Sequence, residues 1–420
     1  MTTVLGIFNK ECVVLAVDSA VSYPSKDGLI SRHNGNKIFP LSHAQPMAAM
    51  VYGASSFVGV PVELILGTFL NTYGYARFGQ LQDCQKALCT HFAQYVKQGE
   101  PEWKLIHDFV QEIVAACLPE PGELEPEATG DGFLMRMAYL QQTWRQKALW
   151  NPDDPVYKDP PDEALCEAVG LALRHQIRRH CKADRPVVVD DALIVQVAGL
   201  VLLMLSRVPT LSGTGIVIVG YGEEDLFPSF LELVLEGAFH GQMRHVLKSH
   251  RAVTHFQPAF LAAFAQSRVI DAYLSGVDPQ LHQFFFQRVR ATFHDFMQTI
   301  VASVEPDQQG GLEVALNGMI ADAMLRLQEE VISYQDQAHT HVTSQALALL
   351  CKEDLTEIAE TMISMTAIKK RISQQVEDVG GPVDIAVLTK HDGFVWIQRK
   401  PKHSPTINPS SYAEQFPRCS

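Results

Sequence analysis

None of the 8 cysteines stands in a Cys-x-x-Cys pair, which removes the commonest redox and zinc motifs. Cys12, Cys84, Cys89, Cys117, Cys166, Cys181, Cys351 and Cys419 sit mostly in apolar stretches. They read as reduced packing residues of a cytoplasmic protein, not as a disulfide framework. A core drawn from 420 residues needs no such staple. Basic residues are scarce too, with 34 Lys+Arg against 47 Asp+Glu and a net charge of −13. Nucleic-acid and anionic-membrane binders need a basic footprint, so neither partner is expected. No basic segment with a cleavage site opens the chain, so no secretory signal is expected. The longest apolar run, Ala192 to Val208, contains Gln196, follows Asp190-Asp191 and carries Arg207. It falls short of the roughly 20 apolar residues that cross a bilayer, and a helix buried on all sides fits it better.

Two further absences narrow the chemistry. Gly213-x-Gly215 and Gly220-x-Gly222 do not make G-x-G-x-x-G, so no nucleotide cofactor is expected. His240, His245, His250 and His255 recur every five residues, a period that matches neither a helix nor a strand face. No cysteine or carboxylate completes a ligand set with them, so no metal is expected. His339 and His341 would share a side only in a strand, and their surroundings look helical.

What is present begins with β-rich runs. Thr2 to Phe8 and Cys12 to Asp18 are separated by Asn9-Lys10-Glu11, a hairpin-length turn. Both runs are apolar at nearly every position, the pattern of strands covered on two faces. Shorter strands follow around Lys37 to Leu41 and Met47 to Gly53, and Val60 to Val96 turns helical. The proline-bearing stretches Leu118 to Gly132 and Asn151 to Glu163 read as loops. Ile216 to Gly222 is another buried strand with a turn, and Leu226 to about Ala338 carries strands and then helices. Lys352 to Gln375 is an amphipathic helix, Pro382 to Arg399 a hairpin turning at His391-Asp392-Gly393, and the chain from Lys400 on an irregular tail. No internal repeat occurs. This order of α+β elements suits two sheets between helical layers, a four-layer αββα sandwich.

Three features converge on the N-terminus. Thr2 becomes residue one if Met1 is removed, as initiator methionine is before a small residue. Asp18 closes the second strand, and Lys37 opens the third within N-G-N-K-I-F. Thr2-Thr3-Val4, V-V-L-A-V-D, N-G-N-K-I-F and a strand ending at Gly53, in this order, resemble the proteasome β-subunit family. They are also similar to the peptidase subunit of the bacterial two-component ATP-dependent protease. The run Gly380 to Phe394 resembles the family's last helix-to-strand passage. The matches cover roughly 1–60, 186–225 and 350–400.

The resemblance implies an N-terminal-nucleophile hydrolase, a threonine-type endopeptidase acting on peptides or unfolded protein, without a cofactor. Thr2 would be the nucleophile and its own α-amine the base, since that amine has a pKa near 8. Lys37 would depress that pKa and stabilise developing charge, with Asp18 pairing it. The threonine's β-branch would limit the hydroxyl to few orientations. Gly53 would supply the oxyanion N–H and let substrate backbone approach. The family's supporting aspartate and serine have no clear copies. Val376 and Val379 occupy the corresponding positions, Asp378 is the nearest carboxylate with Glu377 beside it, and Ser267 is the candidate serine ahead of Thr214. The resemblance implies one domain over 1–400, with added length at about 97–185 and 230–345 and a tail at 401–420. It further implies a ring-like homo-oligomer and an ATPase unfoldase as a possible partner. Two rival readings stay open: an amidohydrolase of the same nucleophile class acting on a small amide, and a catalytically silent assembly protein. Retention of Thr2, Asp18 and Lys37 together speaks against the second.

Overall fold

The computed structural model describes residues 3–25, 28–32, 35–96, 101–118, 130–150, 161–180, 188–208, 213–239, 241–265, 267–372 and 382–400. The chain opens with β1 (Thr3–Asn9), β2 (Cys12–Asp18), β3 (Val21–Ser25), β4 (Gly28–Arg32), β5 (Ile38–Pro40), β6 (Met47–Gly53), β7 (Ser56–Phe57) and β8 (Val60–Pro61). Helices α1 (Val62–Tyr73), α2 (Leu81–Val96), α3 (Pro101–Cys117), α4 (Gly130–Arg145), α5 (Glu163–His180) and α6 (Asp191–Leu205) follow. Then come β9 (Thr214–Gly220), β10 (Ser229–Phe239), β11 (Gln242–Ala252) and β12 (Ala259–Ala265). The last stretch holds α7 (Arg268–Ser275), α8 (Pro279–Ala302), α9 (Pro306–Gln335), α10 (His341–Leu349), α11 (Lys352–Ile372), β13 (Val383–Thr389) and β14 (Gly393–Gln398). A π-helical turn, Asp336–Thr340, joins α9 to α10. The result is a mixed α+β fold with two five-stranded sheets, in the orders β12-β1-β2-β13-β14 and β11-β10-β9-β6-β5.

Two compact units divide the chain. The first comprises Met1–Tyr52, Val219–Phe230 and Arg251–Ser420. At its centre β1 and β2 are buried at every position, as their unbroken apolar runs require. The Asn9 carboxamide sets their turn, accepting from the Glu11 and Cys12 N–H groups at 3.0 and 2.9 Å, an Asx turn. All the pairings in this sheet are antiparallel. One face, with Leu5, Ile7, Val14 and Ile385, packs on Leu355 and Ile363 of α11, Leu347 of α10 and Ile270 of α7. Phe8 lies 4.7 Å from Phe260 and 5.6 Å from Phe230 of β10, ring centre to ring centre. Phe230 meets Phe264 edge-on at 5.1 Å. A Cβ on Gly6 would lie 2.6 Å from the Phe8 ring, which explains the one glycine inside β1.

The second unit comprises Gly53–Ile218 and Leu231–His250. Helices α3 to α6 gather around Trp144, Val169, Leu173 and Val201. Asp190 caps α6, its carboxylate accepting from Leu193 N–H at 2.8 Å. The expectation that this helix is buried on all sides needs correction. Its second half is enclosed, but Ala192, Val195 and Gln196 in the first half face outward. At its far end the buried Arg244 guanidinium donates to the carbonyls of Leu205 and Arg207, and its Nη2 reaches Glu236 Oε2 at 2.8 Å. A cation there complements the negative end of the helix. Among the described residues, no helix is long and apolar enough to cross a membrane.

The stretch 230–345, read from sequence as added length, holds β11, β12 and all but the first residue of β10, all members of the two sheets. The β3–β4 hairpin was not anticipated, because Pro24 and Gly28 interrupt its apolar pattern. His339, set in the π-turn, lies against Gly276, where a Cβ would come 2.4 Å from its ring.

Candidate active site

The register of the β1–β2 pair places Val4 opposite Val17. One step towards the chain start, Thr3 N–H donates to Asp18 Oδ1 at 3.0 Å. The same oxygen accepts from Lys37 Nζ, also at 3.0 Å. Lys37 precedes β5 by one residue, and its carbonyl accepts from Val51 N–H of β6 at 2.8 Å. Its side chain therefore starts from a fixed strand edge and runs inward, where the ammonium also donates to Ala20 O at 2.5 Å. Lys37 is 5% exposed and Asp18 fully buried. Burial lowers the pKa of Lys37, while the adjacent Asp18 charge pulls in the opposite direction.

Thr2 lies outside the described residues, as do Val376, Glu377, Asp378 and Val379. By its covalent bond, the Thr2 carbonyl carbon is attached to the Thr3 nitrogen that donates to Asp18. The Thr3 hydroxyl is fully buried and has no hydrogen-bond partner among the described residues. It is therefore shielded from solvent in this fold.

Ser267 caps α7 without a side-chain bond to the helix. It stands two residues after Ala265, the Cα partner of Thr3 across β12–β1. Ala265 takes φ +65°, a conformation uncommon outside glycine, so the chain turns sharply beside the start of β1. Thr214, the weaker serine substitute, is committed elsewhere: its hydroxyl bridges the carbonyls of Ala54 and Ser56 at 3.1 and 3.2 Å.

Gly53, in the second unit, ends β6 at φ +77°. A Cβ there would lie 2.3 Å from the Gly213 carbonyl oxygen, which itself accepts from Ala54 N–H at 3.1 Å. Both the backbone angle and the close carbonyl require glycine.

A second buried ion pair went unnoticed in the sequence. Lys400, assigned there to the irregular tail, is 9% exposed. Its Nζ bonds Asp384 Oδ2 at 2.9 Å and Ser19 Oγ at 3.0 Å, and also donates to Gly35 O. Its backbone N–H takes the other Asp384 oxygen at 2.9 Å. The Ser19 hydroxyl in turn donates to Pro382 O at 2.6 Å. This network ties β2, the segment before Lys37, β13 and the end of β14 together beside the Asp18–Lys37 pair. Lys400 and Asp384 both act on the charge of Lys37, in opposite senses. The available signal was Asp384 itself, an acid inside the apolar run Val383 to Leu388.

Among the described residues, no group of three or more His, Cys, Asp and Glu side chains is placed to hold a metal. His240 lies outside them, and His245 and His250 are five apart on β11, hence on opposite faces. The described cysteines Cys12, Cys84, Cys89, Cys117, Cys166 and Cys351 are free thiols. No protein-family model matches the chain, and no curated protein matches it.

Proposed function

We propose that this chain is a threonine-type peptidase of the proteasome β-subunit kind, built on a four-layer αββα sandwich, with Thr2 as nucleophile. One observation carries the reading: Thr3 N–H and the buried Lys37 ammonium meet on one oxygen of Asp18, each at 3.0 Å. An ion pair is costly to bury and is a weak source of stability. Its position one peptide bond from the proposed nucleophile gives it a chemical use. The sheet packed by α11 on one face and by Phe230 on the other supports the layered plan.

In the proposed reaction the Thr2 hydroxyl attacks a peptide carbonyl, and its proton passes to the neutral α-amine. The Lys37 ammonium disfavours protonation of that amine beforehand and stabilises the negative charge that develops. Gly53 N–H is assigned to the oxyanion. The amine then delivers the proton to the leaving nitrogen as the C–N bond breaks, leaving an ester on Thr2. Water, activated by the same amine, hydrolyses the ester and restores the hydroxyl. Ser267 is assigned to support the amine.

The mechanism requires that the mature chain begin at Thr2. Intact-mass and N-terminal analysis of the purified protein tests this requirement, and Met1 retained on most molecules refutes it. Cleavage of short fluorogenic peptides, with inactivation by a peptide epoxyketone that needs both hydroxyl and free amine, tests the activity. Hydrolysis of small amides alone, without peptide cleavage, would favour the amidohydrolase instead.

A further inference from the structure

A pocket of about 560 Å³ opens where the β1–β2 and β13–β14 turns meet the start of α11, within the first unit. Cys12 opens β2 and Asp18 closes it, so at the rise of a strand the pocket lies roughly 20 Å from the Asp18–Lys37 pair. Its volume suits a small ligand. Buried side chains make the floor: Cys12 and Tyr221 are each 2% exposed and Thr389 9%. The Tyr221 hydroxyl is buried and has no hydrogen-bond partner among the described residues. Buried hydroxyls are nearly always paired, so this one calls for a partner. Burial pushes the Cys12 thiol up to about 12 and raises the Tyr221 phenol too. Both stay protonated at neutral pH and can donate. The rim is charged. Lys10 Nζ stands 5.6 Å from the centre of the Phe227 ring, and Lys390 Nζ 5.8 Å from that of Tyr221. Neither is in an ion pair among the described residues. Of the rim acids, Asp392 pairs with Lys352 at 3.4 Å and Glu353 turns back on its own backbone N–H. Glu11 alone remains to set against Lys10 and Lys390.

We propose that this pocket binds the oxyanion of a small molecule, a carboxylate or a phosphate. The Tyr221 hydroxyl donates to it from the floor, and the Lys10 and Lys390 ammoniums close on it from the rim. Lysine carries its charge on a flexible stem, so both can swing from an aromatic face to an anion without moving the backbone. The chemistry of the floor selects the sign of the ligand. A cation would need a buried acceptor with negative charge, and the floor residues Cys12, Thr389 and Tyr221 offer none. The Thr389 hydroxyl accepts from Asp392 N–H at 2.8 Å, which fixes the turn that carries Lys390. A charge-assisted bond from the phenol satisfies the hydroxyl that the fold leaves unpaired.

The pocket shares no residue with the proposed hydrolytic site, so its test is independent of peptide cleavage. The full chain is titrated calorimetrically with sodium phosphate and, separately, with sodium acetate. Chloride keeps the ionic strength constant, so general screening is not read as binding. Saturable binding of at least one anion, with a dissociation constant of about 1 mM or below, is expected. Phosphate alone would name a phosphate ligand, acetate alone a carboxylate, and both an oxyanion of either kind. Binding of neither within that limit overturns the proposal. Tyr221→Phe, which removes only the hydroxyl, should weaken binding at least about tenfold. Lys390→Met, at an exposed position, should weaken it too, and an unchanged dissociation constant in either variant overturns the proposal. Urea unfolding without anion supplies the readout that a structural role would reverse. Deleting an unpaired buried hydroxyl leaves stability unchanged or raised. A Tyr221→Phe chain less stable than wild type therefore overturns the proposal whatever its affinity.

Discussion

Replacing Lys37 with methionine separates what the buried ion pair does for stability from what it does for chemistry. Methionine fills much of the same volume but supplies no donor. The change removes the 3.0 Å bond to Asp18 Oδ1 and the 2.5 Å bond to Ala20 O, both in a site where Lys37 is 5% and Asp18 0% exposed. Breaking a buried pair by deleting one partner costs about 3–5 kcal/mol. Asp18 keeps the Thr3 N–H, so a loss near about 3 kcal/mol is expected in urea unfolding at neutral pH. Lys37→Met/Asp18→Asn should recover part of that loss, because it removes the uncompensated charge. Catalysis should fall much further: kcat/KM on a fluorogenic peptide is expected to drop at least about a hundredfold, or ~2.7 kcal/mol in barrier.

The pH response has a definite sign. The folded pKa of Lys37 is lowered, chiefly by burial, so between that pKa and the ordinary lysine value of about 10.4 the unfolded chain binds the extra proton. Stability attributable to Lys37 therefore rises as pH rises through this window. Activity, which needs the ammonium, declines across the same window. Lys37→Met should abolish the alkaline rise in stability. A variant with activity within about tenfold of wild type, ~1.4 kcal/mol, refutes the catalytic role. One destabilised by under about 1 kcal/mol refutes the buried-pair accounting.

Thr2→Ala should abolish hydrolysis while leaving urea unfolding within about 0.5 kcal/mol of wild type, and Thr2→Ser should retain activity; a hydrolytically competent Thr2→Ala excludes the mechanism. Gly53→Ala forces a Cβ to within 2.3 Å of Gly213 O at φ +77°. It should cost about 1–3 kcal/mol in thermal or urea unfolding, and an unchanged midpoint would contradict the close approach. Lys400→Met leaves Asp384 without its ammonium. A stability loss of about 3–5 kcal/mol is expected, with a smaller loss of kcat than in Lys37→Met. Equal losses of kcat would move Lys400 into the reacting group.

Much of the local structure was determined by the sequence alone. Unbroken apolar runs dictated that β1 and β2 be covered on both faces, Asn9 fixed the turn between them, and the acids Glu353 and Asp354 marked the start of α11. The candidate residues Asp18 and Lys37 were legible only through the motifs V-V-L-A-V-D and N-G-N-K-I-F and their resemblance to the proteasome β-subunit family, since alone such charges read as a turn residue and a solvated strand-edge residue. Their convergence on one oxygen came from tertiary structure. It depends on the strand register and on a segment from Ser19 to Asn36 whose path no periodicity encodes. Lys400 escaped notice for the same reason: next to Pro401 it reads as tail, and only the fold carries it 381 residues back to Ser19. The membership of β10 to β12 in the sheets was likewise decided in three dimensions, since strand pairing joins residues by hydrogen bonds rather than by sequence distance. Spacing reveals which side of a helix or strand is apolar, but not what stands opposite. For α6 the other helices of its unit enclose its second half, while Val195 in the first half stays exposed.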